Sequence, residues 1–278
     1  EFRKSAELIK ETGGRGMIML SGYRWSLETA DGKGRFQSQD EFEQKAGADA
    51  QCGPDGKPRI WTRKVGSGWM PAKWARICRA SERVRREALE VARYCVQAGY
   101  PVIHWDQENG GNYVNSVCYS TTHGHPPGDG VWIHQGLEQL YRSLWSEIAS
   151  LTPDFAVSME QSNELYMPYL TMAQQRPFAT GRQFPALPPS TQPVPLLMFL
   201  HHEHLFGWAA YYPWRTTPDG IFYSLAKGFA AGLMPGLGRL EVEKYQREEK
   251  QTWERYLKLF QSCMAGYRGF ARDALMYG

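Results

Sequence analysis

Apolar positions along the chain fall into short buried runs and longer helical stretches, separated by polar, glycine-rich segments. Gly16-Met17-Ile18-Met19-Leu20 is a brief apolar run closed by Ser21-Gly22, which predicts a buried strand. Residues 28–70 are rich in Gly, Asp, Lys and Gln, with a turn at Gly53-Pro54-Asp55-Gly56, and read as a long irregular insertion. From Pro71 to Ala98 the positions Trp74, Ile77, Cys78, Val84, Ala88, Val91, Ala92 and Cys95 recur at roughly helical spacing, and Gly99 ends that helix. Pro101 to Trp105 predicts a second strand, running into Asp106-Gln107.

Glu108–Val131 is a loop rich in Gly, Asn and Pro. Residues 132–150 return to helical periodicity through Trp132, Leu137, Leu140, Leu144, Trp145 and Ile148. Phe155 to Met159 predicts a strand ending in Glu160, and Val194 to Leu200 another, ending in His201-His202-Glu203-His204. Helices are expected over 219–234 and 240–265. Strands alternating with helices imply a parallel sheet. The expected fold is an α/β, (β/α)8 TIM-type barrel over one domain, residues 1–278. Four strands are clear, so the barrel is expected to be incomplete on its N-terminal side, with long loops at the C-terminal face, where barrel enzymes build their sites.

Composition narrows the function classes. The chain has 278 residues, 32 basic and 29 acidic, for a net charge of +3. Without a block of like charge there is no footprint for nucleic acid. No stretch reaches the roughly 18 consecutive apolar residues of a membrane span, and no signal peptide opens the chain. Because Glu1-Phe2 lacks an initiator Met, the compartment stays open between cytoplasmic and secreted. The five cysteines, Cys52, Cys78, Cys95, Cys118 and Cys263, form no CxxC pair. Neither a disulfide framework nor a zinc knuckle is therefore expected, and a reducing compartment is favoured. Aromatic content is 13%, including 10 Trp and 15 Tyr, which suits a cleft that stacks on flat ligand faces as well as an ordinary core.

Candidate chemistry starts at Asp106. A carboxylate directly after an apolar strand stands at the mouth of a barrel, or else caps the following loop. Glu160 follows the next strand in the same way, with Glu164 four residues on. Glycosidic cleavage uses two carboxyl groups, one protonating the leaving oxygen and one attacking or activating water. Asp106 and Glu160 fit that pair, although each taken alone fits a capping or salt-bridge residue equally well. His123-Gly124-His125 offers two imidazoles, a candidate metal pair or a source of hydrogen bonds to sugar hydroxyls; no third metal ligand is evident, and no metal or cofactor is expected. His201-His202-Glu203-His204 does not match the zinc-protease motifs. Strand alternation would point His202 and His204 to one side. Tyr23 and Trp25 are candidates for stacking on a sugar or for filling the core.

The ordered set Cys78 and its helix, Ile103-His104-Trp105-Asp106-Gln107, Cys118-Tyr119, His123-Gly124-His125-Pro126-Pro127-Gly128, Met159-Glu160-Gln161-Ser162-Asn163-Glu164-Leu165-Tyr166 and Val194-Pro195-Leu196 resembles a bacterial family of glycosidase-like barrels known only as a domain of unknown function. That family is distantly similar to the endo-α-N-acetylgalactosaminidases. The resemblance spans residues 17 to about 240 and implies a retaining O-glycosyl hydrolase acting on a carbohydrate. It makes Asp106 the nucleophile and Glu160 the acid/base, with Gln107, His123, His125 and Glu164 lining the pocket. Tyr23, Trp25, Trp105, Tyr119 and His202 complete the expected substrate contacts.

The chain departs from the family in reading Met167-Pro168-Tyr169-Leu170 where an acidic residue is expected, and in its reduced early strands. A non-catalytic carbohydrate-binding barrel is the competing class. A metal-dependent hydrolase built on His123, His125 and one of His201, His202 or His204 is a third. Further domains in the native protein are also expected.

Overall fold

The computed structural model describes residues 1–21, 23–29, 39–62, 71–106, 117–160, 164–174, 196–211, 226, 228–230, 232–237 and 250–266. The chain is mixed α/β and resolves into two compact units, Glu1–Val157 and Ser158–Gly278. Among the described residues no helix is long and apolar enough to cross a membrane.

In the first unit, helix α1 (Phe2–Glu11) leads into strand β1 (Met17–Leu20). A three-stranded antiparallel sheet follows, made of β2 (Arg24–Thr29), β3 (Ile60–Thr62) and β4 (Pro71–Arg76) in the order β2-β4-β3. Helix α2 (Gln39–Lys45) lies between β2 and β3 in the chain. Helix α3 (Glu82–Gln97) then leads to β5 (Val102–Trp105), which pairs with β1 in parallel from Met17↔Val102 to Leu20↔Trp105. Helix α4 (Trp132–Ser143) ends in a π turn at Leu144–Ile148 and a 3-10 turn at Ala149–Leu151. Beyond it the Ala156 amide donates to the Pro101 carbonyl at 3.2 Å.

Each element has a local cause. Ser81 caps α3 by accepting from the Val84 amide at 3.2 Å, satisfying one of the donors a helix leaves open at its start. Val84, Ala88, Leu89, Ala92, Cys95 and Val96 form its buried stripe, and Gly99 at φ 99° ends it in the left-handed region. Two expectations change here. The stretch 71–98 is not one helix, because residues 71–76 pair as β4 with both β2 and β3. Residues 28–70 are not wholly irregular either, since they hold the end of β2, then α2 and β3. Phe42 of α2 is buried 6.5 Å from Trp25 of β2.

In the second unit, β6 (Ala156–Glu160, counted from Ser158), β7 (Met172–Gln174), β8 (Phe206–Tyr211) and β9 (Met234–Leu237) pair in parallel and in order. A 3-10 helix, Glu164–Tyr169, buries Tyr166. Helices α5 (Leu196–His201) and α6 (Lys250–Gly266) complete the described elements. Here the expected strand over 194–200 is corrected to a helix. Its Leu196, Leu197, Met198, Phe199 and Leu200 include no β-branched residue and favour helix, and the strand is instead Phe206–Tyr211. Met198 packs with Leu233, and a Cβ added at Gly207 would lie 2.4 Å from the Met198 sulfur. Of the helix expected over 219–234, Ala226 and 228–230 are helical, but Gly232 and Leu233 are not and Met234 opens β9; α6 supplies the helix expected over 240–265, of which 240–249 lie outside the described residues.

Candidate active site

Asp106 follows β5 directly, and its amide donates to the Leu20 carbonyl at 2.8 Å, so the β1–β5 ladder continues one residue past the strands. Successive side chains of a strand point to opposite faces. Trp105 is fully buried and, with Val84, Ala88 and Val91 of α3, Leu20 and Trp25, lines a cavity of about 230 Å³. Trp105 thus faces α3, and alternation sends His104 and Asp106 to the other face. His104 is fully buried there, and Asp106 is half-buried.

Glu160 ends β6 and is 6% exposed. Register aligns it with Gln174 of β7, and Gln174 with Trp208 of β8. Residues side by side in a parallel ladder share a face, which also holds Ser158, two before Glu160. Trp208 Nε1 donates to Ser158 Oγ at 3.2 Å, across that face. The result is a buried polar row of Ser158, Glu160 and Gln174 beside an indole, while Met159 and Ala173 on the opposite face are apolar and fully buried.

Gln174 is the unusual member of that row. It is 0% exposed, and among the described residues neither its Oε1 nor its Nε2 has a hydrogen-bond partner. A buried amide left unpaired costs about 1–3 kcal/mol, a cost that a polar ligand arriving on that face would relieve. Sequence reasoning missed Gln174 because Met172-Ala173-Gln174 is too short to register as a strand. Only the pairing with Glu160 distinguishes it.

The other expected contacts scatter. Tyr23 is core, 2% exposed, and its carbonyl accepts from the Ile77 amide. Trp25 is half-buried on β2 at the cavity under α3. Tyr119 is exposed, with the Arg59 guanidinium 6.0 Å above its ring. Glu164 is exposed on its 3-10 turn. His202 Nδ1 donates to the Met198 and Phe199 carbonyls at the end of α5, at 3.2 and 3.0 Å. Gln107 lies outside the described residues.

His123 and His125 have different company from that expected. With Cys78 and Cys118 they form a group whose donor atoms all lie within 4.8 Å of one another. Cys78 Sγ is 3.2 Å from His125 Nε2, and Cys118 Sγ is 3.5 Å from His123 Nδ1. A hydrogen bond from Cys78, supported by His123, holds the Cys118 thiol well below its ordinary range, and the bond to Cys118 together with burial pushes Cys78 up. The bond to Cys118 also raises His123. The absence of a CxxC pair argued against a metal cluster; the fold assembles this donor set from segments 40 residues apart in the chain.

No curated protein matches the chain. Solved structures do, as likenesses of fold. The α-N-acetylgalactosaminidase NagBb of Bifidobacterium bifidum, in complex with GalNAc, superposes with a TM-score of 0.57 at 13% identity, over 86% of this chain and 33% of its own. The glycoside hydrolase domain of PelA from Pseudomonas aeruginosa gives 0.52 at 12% identity, over 84% of this chain and 82% of its own. The α-galactosidase TtGalA of Thermus thermophilus gives 0.51 at 14%, over 90% and 50%. The chain therefore spans about a third of the length of NagBb. The family model described as a domain of unknown function, DUF6259, matches residues 1–212, and the chain belongs to that family.

Proposed function

We propose that the chain is a retaining glycoside hydrolase in which residues 1–278 form one (β/α)8-type catalytic barrel domain. The observation that carries the reading is the placement of two carboxylates, Asp106 directly after β5 and Glu160 as the last residue of β6. The C-terminal ends of successive parallel strands are where barrel enzymes place reacting groups. The likeness in fold to three glycoside hydrolases supports it.

In the reaction, the Asp106 carboxylate attacks the anomeric carbon as Glu160 protonates the departing glycosidic oxygen. The glycosyl ester on Asp106 is then opened by water, whose proton returns to Glu160, so that both residues end as they began. This mechanism requires carboxyl groups about 5–5.5 Å apart. Gln174 and Trp208, on the face of Glu160, supply an amide that can bond a sugar hydroxyl and an indole that can stack on a pyranose. Gln107 and Glu164 complete the proposed contacts.

The substrate is a carbohydrate, and α-linked N-acetylgalactosamine and galactose are tried first because NagBb and TtGalA are named for them. The test is hydrolysis of a panel of aryl α- and β-glycosides by the wild type, Asp106→Asn and Glu160→Gln. Cleavage of one substrate by the wild type, with at least about a hundredfold loss in both variants, is the expected result. A wild type that binds glycans without cleaving any would make the barrel a binding module. Activity surviving both substitutions would place the site elsewhere.

A further inference from the structure

We propose that Cys78, Cys118, His123 and His125 bind one zinc ion in a closed, tetrahedral, structural site. The proposal is independent of the glycosidase reading. Four observations converge on it.

The first is spacing. Zinc bonds of about 2.3 Å to sulfur and 2.0–2.1 Å to nitrogen give a tetrahedron with edges of roughly 3.3–3.8 Å. The two sulfur–nitrogen separations are 3.2 and 3.5 Å, and every donor pair lies within 4.8 Å. Small movements would close the tetrahedron.

The second is the orientation of both imidazoles. His123 Nε2 lies 2.8 Å from the Ala48 carbonyl oxygen, and His125 Nδ1 lies 2.8 Å from that of Pro126. A carbonyl can only accept, so each of these nitrogens carries the proton. In the neutral ring, the form that binds metal, the other nitrogen presents a lone pair, and these are the two atoms that face the sulfurs. Metal-bound histidines are commonly held in this way, with one N–H on a backbone carbonyl and the bare nitrogen on the ion.

The third is the treatment of the sulfurs. The Cys52 amide donates to Cys118 Sγ at 3.3 Å. Amide donors suit thiolates, which are the form that binds metal.

The fourth is closure. Cys78 and Cys118 are fully buried and His125 is 8% exposed. Trp132 covers His125, its ring 3.7 Å away and within 10° of parallel. Four protein donors leave no coordination position for substrate, which distinguishes a structural zinc from a catalytic one. Two thiolates, two neutral imidazoles and Zn²⁺ sum to no net charge, so the complex can be buried where an isolated charge could not. Two thiolates with two imidazoles suit zinc rather than magnesium or calcium.

The ion would join two stretches of chain, the turn at Cys78 and the loop of residues 118–125. Cys118 and Gly128 exchange backbone hydrogen bonds that close the loop carrying both histidines. Gly124, between those histidines, has φ 74°, which lets the loop reverse and aim both rings inward. The Tyr119 amide binds the Cys52 carbonyl, and the Cys78 amide binds that of Asp49. The ion thus pins the segment that follows β5 and Asp106 in the chain to the start of α3.

The test is metal analysis of the full chain, purified under reducing conditions without added metal. About one zinc per chain is expected, together with a fall in melting temperature on chelation. Exchange into cobalt should produce the strong visible bands of a tetrahedral site and thiolate-to-metal charge transfer. Cys118→Ser and His125→Ala should each abolish or severely weaken binding, whereas Cys95→Ser, outside the cluster, should retain full zinc. If the cluster variants do not fold, cobalt exchange into the wild type still decides. Absence of stoichiometric zinc together with absence of the cobalt–thiolate bands would overturn the proposal. So would a Cys78–Cys118 disulfide found by mass spectrometry in the native protein.

Discussion

Replacing Gly136 with alanine tests how closely α4 must approach the turn before α3. A Cβ at position 136 would lie 2.2 Å from the Arg79 carbonyl oxygen, 2.8 Å from its carbonyl carbon and 3.3 Å from its Cβ. The first of these falls about 0.8 Å short of the 3.0 Å that real Cβ contacts respect. The obstacle is backbone, so no side chain can rotate away. Overpacking of this kind costs about 1–3 kcal/mol, and the better helix propensity of alanine returns at most about 1 kcal/mol. With the full propensity gain returned, the net loss spans about 0–2 kcal/mol, and a 2.2 Å contact with backbone that cannot rotate away places it in the upper half, about 1–2 kcal/mol, a fall in melting temperature of roughly 2–8 °C for a chain of this size.

Relief requires α4 to move outward. Trp132 lies one turn earlier on the same face, so its stacking on His125 loosens as well, and zinc affinity falls with stability. Gln135→Ala, at an exposed position of the same helix, isolates the propensity effect and should change stability by no more than about 0.5 kcal/mol. Thermal and denaturant melts of the three proteins are the assay. If Gly136→Ala is as stable as the wild type, or more so, the close approach of α4 to Arg79 is wrong.

Two further substitutions test the start of α3 and the buried face of β7. Ser81→Ala removes both the cap of α3 and the 2.5 Å hydrogen bond to Asp49 Oδ1. It should cost about 1–2 kcal/mol in a urea melt, and an unchanged midpoint would mean that the cap carries no stability. Gln174→Leu removes the unpartnered buried amide, so stability should hold or rise by about 1 kcal/mol. On the substrate found in the glycoside panel, kcat/KM should fall about tenfold or more; unchanged activity would exclude Gln174 from the substrate face.

The strands nearest the proposed chemistry were legible in the sequence. Met17–Leu20, Val102–Trp105 and Ala156–Glu160 are short apolar runs bounded by glycine, proline or polar residues, and nothing competes with that reading. The boundary at residue 77 was not legible. Trp74, Ile77, Cys78 and Val84 satisfy a helical period by coincidence, and the pairing that makes 71–76 a strand comes from Arg24–Thr29, some fifty residues earlier. Leu196–Leu200 shows the opposite difficulty, since a five-residue apolar run fits a buried strand and a buried helix turn alike.

The cysteine–histidine cluster escaped for a related reason. His123 and His125 stand two residues apart in the sequence, but their partners include Cys78, which reaches them only once the turn before α3 has packed beneath the loop. Metal signatures written as short spacings miss donor sets that tertiary structure assembles. Gln174 escaped because nothing marks a buried glutamine until its neighbours across the sheet are known.

In the proposed mechanism Asp106 forms a covalent glycosyl ester which Glu160 helps to open. The most direct measurement incubates Glu160→Gln with an aryl glycoside of the sugar the wild type cleaves, chosen for a good leaving group. Such a substrate needs no acid to depart, so the ester forms while its hydrolysis stalls for want of a base. Intact mass spectrometry should then show one added glycosyl residue per chain, mapping to the peptide that contains Asp106, and azide should release it as the glycosyl azide of retained configuration. An adduct on any other residue, or a wild type that turns over while the variant gains no mass, would contradict the assignment.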